Sequence, residues 1–300
     1  MNFRIEAACA SHVGLVRGNN EDNFFFDDCV LTPDNRGQTT PLHLFGENRQ
    51  DVYMAVFDGM GGGDFGEVAS YTAASAFRNL LPLQRGNIEQ QLQDVTGELN
   101  RAVWDARKPL NARQMGTTMA AVCFSGWRAY FCNAGDSRIF ILRQDHLAQV
   151  SRDHTDEAYM KSHNITGRKP RLTQYLGMDP SEVLVEPYVT SGVPEEGDVI
   201  LICSDGLTDM VSEEQIKEIL LCGGTAGACV QALINKALQN GGKDNITVIV
   251  CRILEEIRQW SEDDDADASE DSLAGLDGGQ TPGWRKFWNR IRDTAETFRK

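Results

Sequence analysis

In the stretch VYMAVFDGMGGG, at residues 52–63, an apolar run ends abruptly at Asp58-Gly59. Its β-branched and aromatic residues are typical of a strand, and the Asp-Gly pair is typical of a turn. Asp58 is therefore expected at a strand end, where a side chain is held more firmly than in a free loop. The glycine beside it allows a backbone carbonyl or a ligand to approach closely.

The same arrangement of an acidic residue beside an apolar strand recurs at three further places. They are Asp136 in NAGDSRIF, Asp205 in LICSDGLTD and Asp244 in GGKDNITVIV. Carboxylate and carbonyl ligands, without a matching histidine or cysteine cluster, favour hard cations such as Mg²⁺ or Mn²⁺ over Zn²⁺. Asp-Gly and Asp-Asn are also common turn residues. Each acid alone is thus weak evidence, and the four together predict a metal site.

Near the start of the chain, GLVRGNNEDNFFFD at residues 14–27 places Arg17 and Asp22 just before an aromatic strand. Arginine offers a planar fork of donors that suits phosphate oxygens. The alternative interpretation is a charged turn between two strands. This segment alone does not decide between them.

The order of apolar patterns predicts an α+β fold. Strand-like runs occur at about 3–10, 23–30, 52–57, 183–189, 198–204 and 246–253, and four short runs between 117 and 150 predict an antiparallel meander. Helical spacing follows Asn87, which is a candidate N-cap, and Ser212 begins a capping box for one of two later helices. Strands, a helix pair, strands, a second helix pair and a last strand suggest helices flanking mainly antiparallel sheets.

Composition limits the classes of binding partner and the redox environment that this chain suits. The 300 residues carry a net charge of −15, which disfavours nucleic acid as a partner of the main body. An apolar run of about 18 residues, long enough to span a bilayer, does not occur. The eight cysteines are scattered without a C-x-x-C pair, which argues against a zinc site and favours a reducing, cytoplasmic setting.

The composition divides the chain into three segments. Residues 1–256 form the expected folded domain, residues 257–283 an acidic linker that contains glycine, and residues 284–300 a basic amphipathic helix with Trp284 and Trp288. Such a helix is suited to weak contact with an anionic membrane or a partner. The alternative is a terminal helix that packs weakly on its own domain.

Eight short motifs carry a family resemblance. In chain order they are R-x-x-N-E-D (17–22), D-G-M-G-G with a following G-E (58–67), M-G-T-T (115–118), G-D-S-R (135–138), R-D-H-T (152–155), L-T-Q-Y-L-G (172–177), S-D-G-L-T-D (204–209) and K-D-N-I-T-V (243–248). Over about residues 5–253 the chain resembles the metal-dependent serine/threonine phosphatases of the PP2C (PPM) family, with bacterial stand-alone members as the nearest match. An ordered set of this size is far more specific than any single short motif.

The resemblance implies an αββα sandwich, with two antiparallel sheets face to face and helix pairs outside, and a centre of two Mn²⁺ or Mg²⁺ ions with a weaker third. Its implied metal ligands are Asp22, Asp58, Gly59, Asp205, Asp244 and, for the third ion, Asp136. It further implies that Asp58 bridges two ions and that Arg17 binds the substrate phosphate. The implied reaction is direct attack on phosphoserine or phosphothreonine in proteins by a hydroxide that bridges the ions. The substrates would be targets of a serine/threonine kinase.

Two departures from the family pattern concern substrate handling. Many members carry a histidine near the D-G motif, where this chain has Met60 and Gly63, and residues 155–170 are short for the family's flap. Two other function classes are a catalytically silent phosphoprotein-binding module and a Ca²⁺-binding structural protein. Acids at the metal-ligand positions argue against the first. The lack of a D-x-D-x-D-G loop argues against the second.

Overall fold

The computed structural model describes residues 3–46, 51–60, 65–84, 86–112 and 114–256. Its strands are β1 (Phe3–His12), β2 (Asp22–Phe26), β3 (Gly37–Gly46), β4 (Val52–Met60), β5 (Gly116–Thr117), β6 (Met119–Ser125), β7 (Arg128–Ala134), β8 (Arg138–Arg143), β9 (His146–Gln149), β10 (Tyr188–Gly192), β11 (Val199–Cys203) and β12 (Ile246–Glu256). Its helices are α1 (Gly66–Leu80), α2 (Ile88–Ala106), α3 (Glu157–Ser162), α4 (Asp205–Thr208), α5 (Glu213–Leu221) and α6 (Ala226–Gln239). The predicted linker at 257–283, the predicted helix at 284–300 and Gly63 lie outside the described residues.

The strands form two antiparallel sheets. The first has the order β3-β1-β12-β11-β8-β9, and the second has the order β10-β7-β6-β4-β2, with β5 paired to β4. Side chains of both sheets, among them Ile249 of β12 and Phe24 of β2, share one buried core. The sheets therefore pack face to face.

Alternating side chains explain why the central strands are apolar on both faces. In β4, Met54 and Val56 point into the core between the sheets, whereas Ala55 and Phe57 pack under α1 and α2. A strand covered on both faces buries every side chain, which explains the unbroken apolar run that ends at Asp58.

Helix pairs cover the outer faces and complete the predicted αββα sandwich. Helices α1 and α2 pack on the second sheet, and α5 and α6 pack on the first. The N-cap at Asn87 and the capping box at Ser212 form as the sequence predicts. Among the described residues, no helix combines the length and the hydrophobicity needed to cross a membrane.

Two local predictions were wrong. The runs between 117 and 150 do not form one meander, because β7 belongs to the second sheet and β8 to the first. The chain crosses between the sheets at Gly135-Asp136, where an antiparallel meander would have a hairpin turn. The run at 183–189 is irregular at its start, and the strand there is Tyr188–Gly192. Glycine-containing turns look alike in sequence whether the next strand stays in the same sheet or leaves it.

Candidate metal centre

The predicted acids meet where strand ends of the two sheets converge. Asp22 begins β2 and is the register partner of Asp58 near the end of β4. Asp205 follows β11 and opens the short helix α4, and Asp244 lies two residues before β12. Asp58 is close enough to Asp22, Asp136, Asp205 and Asp244 to be affected by the charge of each. The structure thus brings all five predicted carboxylates into one electrostatic cluster.

Burial and mutual repulsion raise the pKa values of these acids. Burial, followed by the charge of Asp205, raises the pKa of Asp58 well above its ordinary value. Burial is also the main cause that raises the pKa of Asp22 and of Asp136 to about 7 each. The hydrogen bond that Asp22 accepts from Ser204 works in the opposite direction. The cluster therefore holds more negative charge than its own surroundings compensate.

Among the described residues, the side chains of Arg17 and Lys169 donate to acids of the cluster. Arg17 Nη2 donates to Asp244 Oδ2 at 2.7 Å. Lys169 Nζ donates to Asp205 Oδ2, and it also donates to Asp209 Oδ2 at 2.7 Å. Within the described ranges, no three His, Cys, Asp or Glu side chains already stand as a metal cage. Arg17 and Lys169 each occupy a carboxylate oxygen that a divalent cation would use.

The donor chemistry nevertheless fits divalent cations. All of the acids offer oxygen, and hard cations such as Mn²⁺ and Mg²⁺ are bound by oxygen ligands. Buried carboxylates that repel one another are stabilised when a cation lies between them. The residues present therefore fit a divalent metal centre. An ion that takes Asp205 Oδ2 must displace Lys169, and an ion that takes Asp244 Oδ2 must displace Arg17.

Gly59 occupies a position where only glycine fits. Its backbone N–H donates to the Glu21 carbonyl at 3.1 Å, and a Cβ at this position would overlap the carbonyl oxygens of Gly66 and Glu21. The backbones of β4, the Arg17 loop and the start of α1 come together at this point. Asp58 and Gly59 thus lie near the C-terminal end of β4, where these three backbones meet.

The sheet crossing positions Asp136. Gly135 has φ +113°, and a Cβ there would lie 2.7 Å from the Thr118 side chain. Thr118 Oγ1 accepts a hydrogen bond from Asp58 N at 3.0 Å and shares one of 2.7 Å with Ser137 Oγ. The backbone around Asp136 is thus tied to the backbone of Asp58.

Sequence reasoning missed two positioning residues, one bonded to the predicted ligand Asp22 and one bonded to the loop that carries Arg17. Ser204 Oγ donates to Asp22 Oδ2 at 2.7 Å and accepts from Thr247 N at 3.0 Å. Asn245 Oδ1 accepts from Glu21 N at 2.8 Å, and its amide donates to the carbonyls of Val13 and Asn19, both at 2.9 Å. Their adjacency to Asp205 and Asp244 in the sequence is the signal that could have found them.

Lys169 was also missed. It lies in a polar segment without helical or strand periodicity, so its sequence neighbours give no sign of its contacts. In the structure it lines a pocket of about 250 Å³ together with Asp136, Asp205 and Asp209. Lys169 therefore lines the same pocket as Asp136 and Asp205, the two acids predicted to hold the third ion.

Comparison with known proteins gives a consistent result. The sequence profile of the family described as Protein phosphatase 2C matches residues 42–238. The serine/threonine protein phosphatase PstP of Mycobacterium tuberculosis is 32% identical over 262 residues, which are 83% of this chain and 45% of PstP. The serine/threonine phosphatase stp of Listeria innocua is 33% identical over 224 residues, which are 69% of this chain and 86% of stp.

A solved structure shows the same fold. The crystal structure of the catalytic domain of PstP in complex with two manganese ions superposes with a TM-score of 0.67 at 30% identity. The match covers 84% of this chain and all of that chain. The chain spans less than half the length of full PstP.

Proposed function

The chain belongs to the protein phosphatase 2C family, and we propose that it hydrolyses phosphoserine and phosphothreonine in proteins with the help of divalent metal ions. One observation carries the proposal. Five carboxylates far apart in sequence converge at one edge of the sandwich, with the guanidinium of Arg17 in contact with one of them. Enzymes that catalyse phosphoryl transfer use metal ions and cationic side chains to position the phosphate and offset its charge, and this site has residues suited to both tasks.

We propose that two Mn²⁺ or Mg²⁺ ions bind here, as two manganese ions do in the PstP catalytic domain. The proposed ligands are Asp22, Asp58, Gly59, Asp205 and Asp244, with Asp136 and Asp205 at a weaker third site. Two such ions lower the pKa of water between them and offset the charge of a phosphoryl group. Asp58 is the proposed bridging ligand. Its position among the other acids supports this role, because the charges of Asp22, Asp136, Asp205 and Asp244 all raise its pKa.

The protein's own contribution is to position the substrate. Arg17 is half-exposed beside Asp244, so its guanidinium can reach a phosphate at the rim of the centre. Asn245 fixes the backbone on both sides of Arg17 through the carbonyls of Val13 and Asn19. The loop is therefore held while the side chain exchanges Asp244 for phosphate, with two parallel hydrogen bonds available to the oxygens.

Replacing Arg17 with alanine is expected to lower kcat/KM for a phosphothreonine peptide by about 10²-fold, because one preorganised charged donor is lost. Initial rates at saturating Mn²⁺ measure this. Arg101→Ala is the matched control, since Arg101 is an exposed arginine that contacts only Glu98 in α2 among the contacts described. Equal rates for the two variants would remove Arg17 from phosphate binding.

The proposed activity is tested by phosphate release from para-nitrophenyl phosphate and from a phosphothreonine peptide. We expect release with Mn²⁺ or Mg²⁺, and no release with Ca²⁺ alone or with excess chelator. A folded protein that binds a phosphopeptide but releases no phosphate with any metal would instead support the phosphoprotein-binding module. Metal binding without either property would support the structural Ca²⁺ protein.

We further propose that the substrates are targets of a serine/threonine kinase and that the protein acts in a reducing, cytoplasmic setting. All eight cysteines lie in the described residues as free thiols, which supports a reducing setting. Peripheral membrane or partner contact through residues 284–300 remains a prediction. Its test is liposome binding before and after deletion of that segment.

A further inference from the structure

Lys169 is held between two carboxylates at the edge of the metal centre. Its ammonium donates to Asp205 Oδ2 and, at 2.7 Å, to Asp209 Oδ2. Its side chain is 52% exposed, whereas that of Asp205 is only 17% exposed. The lysine thus reaches from solvent onto a largely buried acid that the family resemblance assigns to the metal ions.

The segment that carries Lys169 is itself anchored. Asp156 N donates to the Arg171 carbonyl at 2.9 Å, and Arg171 N donates back to Asp156 Oδ1 at 2.7 Å. The guanidinium of Arg168 donates to Asp156 Oδ2 at 2.6 Å. Thr173 N donates to the His154 carbonyl at 2.8 Å. Contacts on both sides of Lys169 therefore aim it at the pocket.

The pocket itself is suited to a cation. Its lining includes Asp136, Asp153, Asp205 and Asp209. Arg138 neutralises Asp153 through three hydrogen bonds between 2.6 and 3.1 Å. Lys169 thus forms ion pairs with Asp205 and Asp209. In the described contacts, no cationic side chain donates to Asp136.

We propose that Lys169 is an intramolecular competitor for metal at the Asp136–Asp205 side of the centre. An oxygen of Asp205 that accepts from the ammonium cannot at the same time take a place in the coordination shell of an ion. A third divalent ion at Asp136 and Asp205 must displace Lys169 from Asp205 Oδ2. An ion of the two-metal centre can use the other oxygen of Asp205, Oδ1, while Lys169 stays in place. This inference rests on the proposed function, since it concerns how many ions the same centre holds.

Manganese binding to the full chain tests the inference without reference to activity. Isothermal titration calorimetry with MnCl₂ compares the wild type with Lys169→Met, which keeps the chain length and removes the charge. We expect Lys169→Met to bind its weakest Mn²⁺ about tenfold more tightly, the scale of one charge–charge contact at a half-exposed site. Lys169→Arg should behave like the wild type, because it keeps the positive charge.

The matched control is Lys108→Met, which also removes a lysine bonded to an aspartate, at 2.7 Å from Asp105 on the surface. It should leave the isotherm unchanged. Lys169→Gln is a second neutral variant, and circular dichroism verifies that each variant is folded. If the wild type binds two Mn²⁺ ions and both neutral variants give the same isotherm as the wild type, the inference about Lys169 is wrong and the proposed function is unaffected. A wild type that binds no Mn²⁺ would overturn the proposed function as well.

Discussion

Replacement of Asp58 by asparagine is expected to lower kcat by about 10³-fold while it raises the melting temperature of the metal-free protein. Activity falls because asparagine keeps the shape of the side chain but removes the charge proposed to bridge two ions, a larger loss than that of one hydrogen-bond donor to a transition state. Stability rises because burial and the charge of Asp205 raise the pKa of Asp58, so its ionised form is disfavoured in the folded protein.

The sign of the stability change follows from the linkage between protonation and folding. A carboxyl whose pKa is higher in the folded state destabilises the fold increasingly as pH rises above its unfolded pKa, up to the folded value. At neutral pH, asparagine removes this cost. The difference in melting temperature should therefore shrink as the pH is lowered toward 4, near the ordinary pKa of an aspartate.

Phosphate release and thermal unfolding in excess chelator measure the two effects on one preparation. Asp94→Asn is the control, because Asp94 is an exposed acid on α2 that accepts a hydrogen bond from Gln90. It should change neither quantity. Retained activity in Asp58→Asn would contradict the metal-ligand role, and a lowered melting temperature would contradict the electrostatic account.

Replacement of Phe24 by alanine is expected to lower the free energy of unfolding by about 3–5 kcal/mol, the usual cost of removing a buried aromatic side chain. Phe24 is fully buried between the two sheets, two residues from Asp22 on β2. At the size of this domain, the loss corresponds to a melting temperature lower by about 10 °C. Urea unfolding followed by circular dichroism measures the change.

Phe45→Ala is the matched control for this substitution. Phe45 lies on β3 at 62% exposure, so the same atoms are removed from a side chain that packs little. Its effect should be within about 1 kcal/mol. Similar losses for Phe24→Ala and Phe45→Ala would contradict the assignment of a shared core between the sheets.

The clustering of the acids at the candidate site was largely predictable, because these acids follow a local rule. Asp58, Asp205 and Asp244 each adjoin an apolar strand and a small or turn-forming residue, and both features can be identified in a single sequence. The α+β class, with helices flanking antiparallel sheets, also followed from the order of strand and helix patterns, and the αββα sandwich was implied by the family resemblance. The fully buried strands helped, since they produce unbroken apolar runs that are distinct from amphipathic helices.

The remainder depended on contacts between distant segments. Gly135, where the chain leaves the second sheet, lies so close to Thr118 that a Cβ would come within 2.7 Å of its side chain, and this contact is not visible in the local turn residues. Lys169 contacts Asp205 and Asp209, some 40 residues away, from a segment without periodicity. Ser204 and Asn245 were within reach of sequence analysis, because they adjoin predicted ligands, but their partners Asp22 and Glu21 are set only by the fold.

The most direct test of the metal centre is anomalous X-ray scattering from crystals of the protein grown with MnCl₂. Two manganese peaks are expected on either side of the Asp58 carboxylate, one of them also contacted by Asp205 and Asp244, with metal–oxygen distances no longer than about 2.6 Å. Lys169 should still contact Asp209. Manganese bound elsewhere, with no peak beside Asp58, would contradict the account.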